Sequence, residues 1–209
     1  DPRVVTKARQ QPKLTYEEML ELAAAGAKVL HLRCVEYARR ANLPIHVRSS
    51  FSTKEGTWVV AERSTETGGS AVEQPIIAGV AADLSDAKLT IVGVPDKPGE
   101  AAAIFTVLAE ASVNIDMIVQ NVSADGRTDV TFTCPKGSLD TARAALEKVK
   151  ATIGFESLKA DENVAKVSLV GAGMKQHPGV SATFFRALAD AGVNVEMIST
   201  SEIRISVVI

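Results

Sequence analysis

The strongest constraint on this chain is an internal repeat. One segment, KLTIVGVPDKPGEAAAIFTVLAEASVNIDMIVQ, begins at Lys88, and a similar segment, KVSLVGAGMKQHPGVSATFFRALADAGVNVEMIST, begins at Lys166. The matches are side-chain specific, because a Pro-Gly pair, the Phe and Leu that follow it, and a closing Val-Asn run recur at corresponding positions. A match of this length within one chain predicts two copies of one folding unit.

Each copy has the pattern of a strand, a Pro-Gly loop, a helix and a second strand. In the first copy a hairpin turn at Asp125-Gly126, a returning strand, a second helix and a fourth strand follow. We expect strands at Asn114 to Val122 and Thr128 to Thr133 and the second helix at Leu139 to Val149. Residues Gly154 to Leu158 are expected to lead into the fourth strand. The order β-α-β-β-α-β is ferredoxin-like. The predicted fold class is therefore α/β, of the α+β kind, with two such units in tandem.

The second copy stops after its third strand, so it lacks a partner for one edge of its sheet. An unassigned apolar strand, Pro75 to Ala82, precedes the first copy and could supply that neighbour. The chain opens on a turn-like Asp1-Pro2-Arg3 and stops within an apolar alternating run. We therefore expect a fragment of a larger protein.

The segment before the repeat predicts two helices. Thr15 followed by Glu18 has the spacing of a capping box for the first, and the second is expected from Ala27 to Ala41, before a short strand at Ile45 to Arg48. Residues 61–75 lose this apolar periodicity and carry Ser, Thr, Glu and a Gly-Gly pair. This composition is typical of a flexible connection between domains.

Composition excludes several classes of function. The chain has 23 basic and 25 acidic residues, and its longest basic run is Arg39-Arg40, so we expect no nucleic acid or membrane partner. It has neither a long apolar run nor a signal-peptide pattern, which favours a cytoplasmic protein. Its cysteines, Cys34 and Cys134, and its three histidines have no paired spacing, so we expect two buried thiols, no disulfide and no metal site.

The first Pro-Gly loop places acidic side chains near the expected start of a helix. If Pro98 takes the first helical position, the following amides and the positive end of the helix dipole can receive a carboxylate. Asp96 and Asp116 are the nearest acidic side chains by pattern and suit an ammonium group, while Gln120 can hydrogen-bond. The alternative is that Asp96 merely caps the helix and that Asp116 is a solvated edge charge.

Two other motifs are weak. Gly171-Ala172-Gly173 follows a strand but lacks the third glycine and the acidic residue of a dinucleotide site, so a tight turn is the better interpretation. His177 has no carboxylate or cysteine at a fixed spacing and is interpreted as a solvated loop residue rather than a base.

Several motifs together resemble the C-terminal half of the proteins of the bacterial aspartate kinase family. They are DPRVV, LTYEEMLELAAAGAKVLHLRCVEYARR, LPIHVRSSFS, DKPGEAA, VSLVGAGM, HPGV and ISTSEIRISVV, in this order and over nearly the whole chain. The resemblance implies that the repeats are paired ACT domains, which sense threonine or lysine, preceded by the helical tail of an amino-acid kinase domain. The implied boundaries are 1–58 for the kinase remnant, 59–75 for a linker, 76–86 for a strand joining the second ACT unit, 87–160 for the first ACT unit and 161–209 for a truncated second one.

The resemblance also implies site residues. An effector would lie between one ACT unit and the other ACT unit of a partner chain, in a homodimer. On the first repeat its contacts would be Asp96, Lys97, Pro98, Gly99, Glu100, Ala101, Asn114, Ile115, Asp116 and Gln120. On the second repeat they would be Val180, Ser181, Asn194, Val195, Ser201 and Glu202.

The same resemblance implies contacts with a nucleotide. Asp1, Pro2, Arg3 and Lys28 would lie against the phosphates of ATP, bound with Mg, in the complete enzyme, and this suits a guanidinium and an ammonium group. No catalytic residue and no cofactor is expected in the segment present here. A kinase domain or subunit is the expected partner.

We therefore expect the regulatory part of an enzyme that transfers the γ-phosphoryl group of ATP to L-aspartate in lysine, threonine and methionine biosynthesis. The chain would bind threonine, lysine or both, without activity of its own. The alternative is an ACT-type dimerisation module that binds no effector. A self-sufficient catalyst is excluded because the first 60 residues offer no base, nucleophile or phosphate loop.

Overall fold

A computed structural model describes residues 4–62, 76–121, 125–172, 174 and 178–209. The chain forms two compact units, which we call the composite unit (1–82 with 167–207) and the central unit (83–166 with 208–209). The helices are α1 (Tyr16–Ala24), α2 (Leu32–Arg40), α3 (Glu100–Glu110), α4 (Leu139–Ile153) and α5 (Pro178–Asp190). The strands are β1 (Lys13–Thr15), β2 (Ile45–Val47), β3 (Thr57–Val60), β4 (Ile76–Asp83), β5 (Asp86–Pro95), β6 (Ile118–Gln120), β7 (Arg127–Pro135), β8 (Ser157–Asp161), β9 (Lys166–Ala172), β10 (Met197–Thr200) and β11 (Arg204–Val208).

The central unit confirms the predicted ferredoxin-like order. Its elements follow as β5, α3, β6, β7, α4 and β8, and its sheet has the strand order β6-β7-β5-β8. The strand β5 pairs antiparallel with both β7 and β8, and its alternation places Ala87, Leu89 and Ile91 fully buried on one face. The core contains these three side chains together with Ile104 and Leu108 of α3, so it forms between this face and the helices.

Several predicted boundaries in the central unit are wrong. The strand β7 extends past Thr133 to Pro135, and two other elements each differ by four residues at one end. The strand expected at Asn114 to Val122 is β6, which begins only at Ile118. Thr133 explains the late start, because its carbonyl accepts a hydrogen bond from the Asp116 amide at 3.1 Å and its hydroxyl accepts one from the Met117 amide at 3.1 Å. The helix α4 runs past Val149 to Ile153 and ends where Gly154 takes a left-handed conformation, with φ of 81°.

The capping box of α1 is confirmed. The amide of Glu18 donates to the Thr15 hydroxyl at 3.1 Å, and the amide of Thr15 donates to Glu18 Oε2 at 2.9 Å. The predicted second helix starts later than Ala27. The Ala27 amide instead bonds to the Leu22 carbonyl at 2.9 Å, and Gly26 has φ of 98°, which is how a helix ends. The helix α2 then begins after His31, whose Nδ1 accepts from the Arg33 amide at 3.3 Å.

The composite unit contains two sheets. One has the strand order β1-β3-β2, and the sheet of the second repeat has the order β10-β11-β9-β4. The strand β4 therefore lies beside β9, in the position that β8 holds beside β5. One face of this second sheet carries Leu169 and Ile205, which pack against Phe185 and other side chains of α5. The other face contributes Val170 to a core that also contains Met19 and Leu22 of α1.

The two cysteines are both free, but the expectation that both are buried is wrong. Cys134 is buried in the central unit, whereas Cys34 is exposed on the short helix α2. The Cys34 thiol donates to the His31 carbonyl at 2.9 Å, because the side chain lies over the first turn rather than against the core. Among the described residues, no helix has both the length and the apolar character needed to cross a membrane.

Candidate effector site

The first Pro-Gly loop is held in place by backbone hydrogen bonds. The Asp96 amide donates to the Gly126 carbonyl at 2.8 Å, which attaches the loop to the turn before β7, and the Lys97 amide donates to the Pro95 carbonyl at 3.0 Å. Gly99 has φ of 103°, and an added Cβ would meet no heavy atom within 4 Å. The glycine is therefore required by the turn itself, not by a neighbouring side chain.

The helix begins later than the sequence predicts. Gly99 is the N-cap of α3 and Glu100 is its first residue, so Pro98 does not take the first helical position. The left-handed backbone of Gly99 separates Pro98 from the helix. The first turn of α3 still presents amides that have no intrahelical partners, together with the positive end of the dipole. The Glu100 amide donates to the Lys97 carbonyl at 3.5 Å, so an incoming carboxylate could be received only by the amides that follow it.

The alternative in which Asp96 caps the helix is wrong. No side chain hydrogen-bonds to the first turn from the cap position, and Asp96 is exposed in the loop before it. The adjacent Lys97 forms an ion pair with Glu100, at 3.1 Å, which leaves the Glu100 side chain mostly covered. The loop thus presents an exposed carboxylate, which can bind an ammonium group, beside a helix N-terminus, which can bind a carboxylate. An α-amino acid carries both of these groups.

Asp116 is not merely a solvated edge charge. Its Oδ2 accepts from Lys166 Nζ at 2.6 Å, and the same ammonium donates to Asp86 Oδ2 at 2.9 Å. The exposed fraction of the side chain is 7% for Lys166, 12% for Asp86 and 43% for Asp116. Asp116 is therefore fixed on its inner side by a buried cation and open on its outer side.

The buried cation stays charged. Burial alone would lower the pKa of Lys166, but its hydrogen bonds to Asp116 and Asp86, and then their charges, outweigh burial and raise the pKa above its usual value. Asp86 also affects Cys134, whose pKa is raised first by burial and then by this carboxylate. Sequence reasoning missed Lys166 and Asp86. The repeat aligns Lys166 with Lys88 on a strand, and nothing in the pattern distinguishes a buried lysine from a surface one.

The remaining first-repeat residues lie in the same unit. Gln120 is exposed at the end of β6 and pairs with Val130, while Asn114 is exposed in the loop before that strand. Ile115 is half-buried and packs against the central core. All ten of the predicted first-repeat contacts therefore belong to the central unit, around α3 and β6.

The predicted second-repeat contacts lie in the composite unit. Val180 is buried in the core with Leu169 and Ile205, so it can offer only backbone groups to a ligand. Asn194, Ser201 and Glu202 are exposed, while Ser181 and Val195 are half-buried. The strand β10 begins only at Met197, so Asn194 and Val195 are loop residues. The structure thus divides the two predicted sets between its two units.

The predicted nucleotide contacts are described only in part. Lys28 is exposed between α1 and α2, whereas Asp1, Pro2 and Arg3 lie outside the described residues, as do Gly173 and His177. Within the described ranges, no three His, Cys, Asp or Glu side chains are placed to hold a metal ion.

Comparison with known proteins identifies the domains. Residues 88–151 match the ACT domain family, residues 167–209 match it again, and residues 1–49 match the amino acid kinase family. The chain therefore consists of two ACT domains and a segment of an amino acid kinase domain.

Longer matches give the family. The chain is 57% identical over 209 residues to the aspartokinase of Mycobacterium tuberculosis (strain ATCC 25618 / H37Rv), covering 99% of this chain and 49% of that protein. It is 45% identical to the regulatory subunit of aspartate kinase from Thermus flavus, with a TM-score of 0.59, covering 63% of this chain and 87% of that one. It is also similar to E. coli aspartokinase III in complex with lysine and aspartate, at 26% identity and a TM-score of 0.71, over 100% of this chain and 45% of that one.

The chain belongs to the aspartokinase family, as its motifs predict. It spans 49% of the length of the mycobacterial relative.

Proposed function

We propose that this chain is the effector-binding part of an aspartate kinase. The complete protein would transfer the γ-phosphoryl group of ATP to the β-carboxylate of L-aspartate, giving 4-phospho-L-aspartate for lysine, threonine and methionine biosynthesis in the cytoplasm. The observation that carries the proposal is the exposed carboxylate of Asp96 beside the N-terminus of α3. Threonine, lysine or both would bind there.

The chemistry of this loop matches an α-amino acid. The first amides of α3 and the dipole attract the carboxylate of the ligand, and the backbone of Gly99 and Ala101 can approach it closely because neither carries a large side chain. Asp96 and the open side of Asp116 can accept hydrogen bonds from its ammonium group. The solved E. coli relative is named as a complex with lysine, which supports a site of this class.

A homodimer would complete the site. The strands β6 and β10 are edge strands of their sheets, and they expose Ile118 and Ile198, which occupy matching positions in the two repeats, to 50% and 49%. An exposed apolar edge strand favours pairing with a second chain. If the effector lies between ACT units of two chains, it binds the dimer better than the monomer, and it can shift a kinase only through such a difference in affinity.

A kinase domain is the proposed partner for the N-terminal segment. Val29, Tyr37, Leu43 and Phe51 are all exposed there, within or beside the residues that match the amino acid kinase family. The rest of that domain would cover these side chains. Lys28 is exposed in the same segment, and its ammonium, together with the guanidinium of Arg3, would contact the phosphates of ATP bound with Mg.

Calorimetric titration of the chain with threonine and with lysine tests the proposal. Saturable binding of either, weakened by Asp96→Ala, supports it. A matched control is Asp140→Ala, which removes an exposed carboxylate from the start of α4 instead. Heats of dilution alone for both amino acids would contradict the proposal.

One observation favours the alternative of a dimerisation module without an effector. The inner oxygen of Asp116 already accepts a hydrogen bond from Lys166, so this carboxylate can stabilise the fold without binding a ligand. Sedimentation of the chain at several concentrations separates the two functions. A dimer whose dissociation constant is unchanged by threonine and lysine would support the module.

A further inference from the structure

We propose that Lys166 and Asp86 set the charge that an effector meets at Asp116, and thereby select between neutral and cationic amino acids. This inference rests on the proposed effector function. It concerns residues that the sequence pattern did not connect with the site, since Lys166 opens the second repeat and Asp86 opens β5.

The geometry leaves one side of Asp116 for a ligand. Lys166 Nζ holds Oδ2 at 2.6 Å, while the side chain of Asp116 remains 43% exposed. A carboxylate can accept about four hydrogen bonds, so the ammonium of Lys166 does not saturate it. Lys166 is therefore a positioning residue, which fixes the carboxylate while its outer oxygen stays available.

The charge balance of this cluster is the basis of the selection. Asp86 and Asp116 both accept a hydrogen bond from the ammonium of Lys166, and the three side chains together carry a net charge of −1. Lys166 and Asp86 are almost wholly buried, so water and salt screen their charges poorly. The α-ammonium group of a ligand neutralises the cluster, so the side-chain ammonium of lysine meets no remaining net charge there.

The consequence is a preference that follows the charge of the cluster. Threonine and lysine share the same α-ammonium and α-carboxylate groups, so the ratio of their dissociation constants isolates the effect on the extra charge of lysine. Coulomb's law gives an effect of about tenfold for a unit charge several ångströms away, in a medium between protein and water. Changing the net charge of the cluster by one should shift the ratio by that factor.

Four variants of the 209-residue chain test this proposed selection. Lys166→Met takes the cluster to −2 and should shift the affinity ratio about tenfold towards lysine. Asp86→Asn takes it to zero and should shift the ratio about tenfold towards threonine. The double variant Asp86→Asn/Lys166→Met restores −1, and Lys166→Arg keeps it, so both should return the ratio to within about twofold of the original.

The measurement is calorimetric titration of each variant with both amino acids, after circular dichroism has shown a native spectrum. Lys148→Met is the matched control, because it removes one exposed lysine charge from α4 and should leave the ratio unchanged. If Lys166→Met fails to fold, Asp86→Asn and the double variant still separate charge from structure.

The outcomes are distinguishable. If the original chain binds both amino acids and the ratio of their dissociation constants is the same in all folded variants, the role of Lys166 and Asp86 is overturned. The proposed function would then remain intact. A ratio that shifts equally in Lys148→Met would also overturn it, because net charge of the protein would then be the cause. Absence of binding by the original chain would overturn the proposed function itself.

Discussion

Breaking the ion pair between Glu21 and Arg204 tests whether the kinase-family segment and the second repeat are coupled energetically. Arg204 Nη1 lies 2.9 Å from Glu21 Oε2, and the two side chains are 22% and 27% exposed. Glu21 is on α1 and Arg204 opens β11, so the pair joins elements 183 residues apart within the composite unit. A hydrogen bond between charged groups contributes about 1.5–3 kcal/mol, and partial exposure places this one near the lower limit.

The two single variants should differ in cost. Glu21→Gln leaves a guanidinium without its charge partner, and we expect it to lower the free energy of unfolding by about 2 kcal/mol. Arg204→Met removes the same ion pair, but it also removes a buried Nε that has no hydrogen-bond partner among the described residues. Because that unsatisfied donor already costs free energy, we expect Arg204→Met to cost only about 1 kcal/mol.

Urea unfolding of the original chain, both single variants and the double variant gives the coupling energy. Trp58, the only tryptophan of the sequence, lies on β3 in the composite unit, so its fluorescence reports the unit that contains the pair. We expect a coupling of about 1–1.5 kcal/mol. The exposed pair of Arg40 and Glu36, at 2.8 Å on α2, is the matched control and should give about 0.3 kcal/mol. A coupling for Glu21 and Arg204 that does not exceed the control would refute the reasoning.

Three further outcomes are expected. Asp96→Ala should weaken binding of threonine or lysine by at least ~1.5 kcal/mol in calorimetry, the contribution of a charged hydrogen bond, and an unchanged affinity would remove Asp96 from the site. Ile118→Lys should turn a dimer into a monomer in sedimentation, because it places a charge on the edge strand β6, and a dimer of unchanged strength would exclude that edge. The free energy of unfolding should fall as the pH rises above the ordinary thiol pKa of 9.0, because the raised pKa of Cys134 keeps the thiol protonated in the folded state after the unfolded chain has lost this proton. This fall can reach about 1.4 kcal/mol per pH unit, and Cys134→Val should reduce it. The same dependence of stability on pH in both proteins would contradict the prediction.

Local signals in the sequence predicted local structure well. The capping box needs only Thr15, Glu18 and the helix between them, and the structure contains both of its hydrogen bonds. The order of strands in the first repeat also followed from pattern, because each apolar run has a length and period that fit one element. These features depend on residues a few positions apart, for which spacing and geometry are nearly equivalent.

Features that depend on distant residues were missed. The late start of β6 depends on the side chain of Thr133, which takes the amide of Met117 from 16 positions away. The partners of Lys166 lie 80 and 50 positions away, so no spacing rule relates them. The start of α3 was mispredicted for a different reason. The usual preference for proline at the first helical position pointed to Pro98, whereas the left-handed backbone of Gly99 places the start of the helix after it.

The two repeats share a fold but differ in what covers their sheets. In the first repeat Thr90 and Thr131 pair across β5 and β7 at 3.0 Å and stay half-buried, while in the second repeat Ser168 and Ser206 pair at 2.7 Å and are wholly buried. The second sheet needs the smaller hydroxyl side chains because its second face lies in the core that includes α1. A displacement of that sheet must therefore either move α1 or open a packed core, and packed cores resist deformation. The sheet of the second repeat therefore packs directly against the kinase-family segment through α1. In the first repeat, the face of the sheet opposite the helices remains partly exposed.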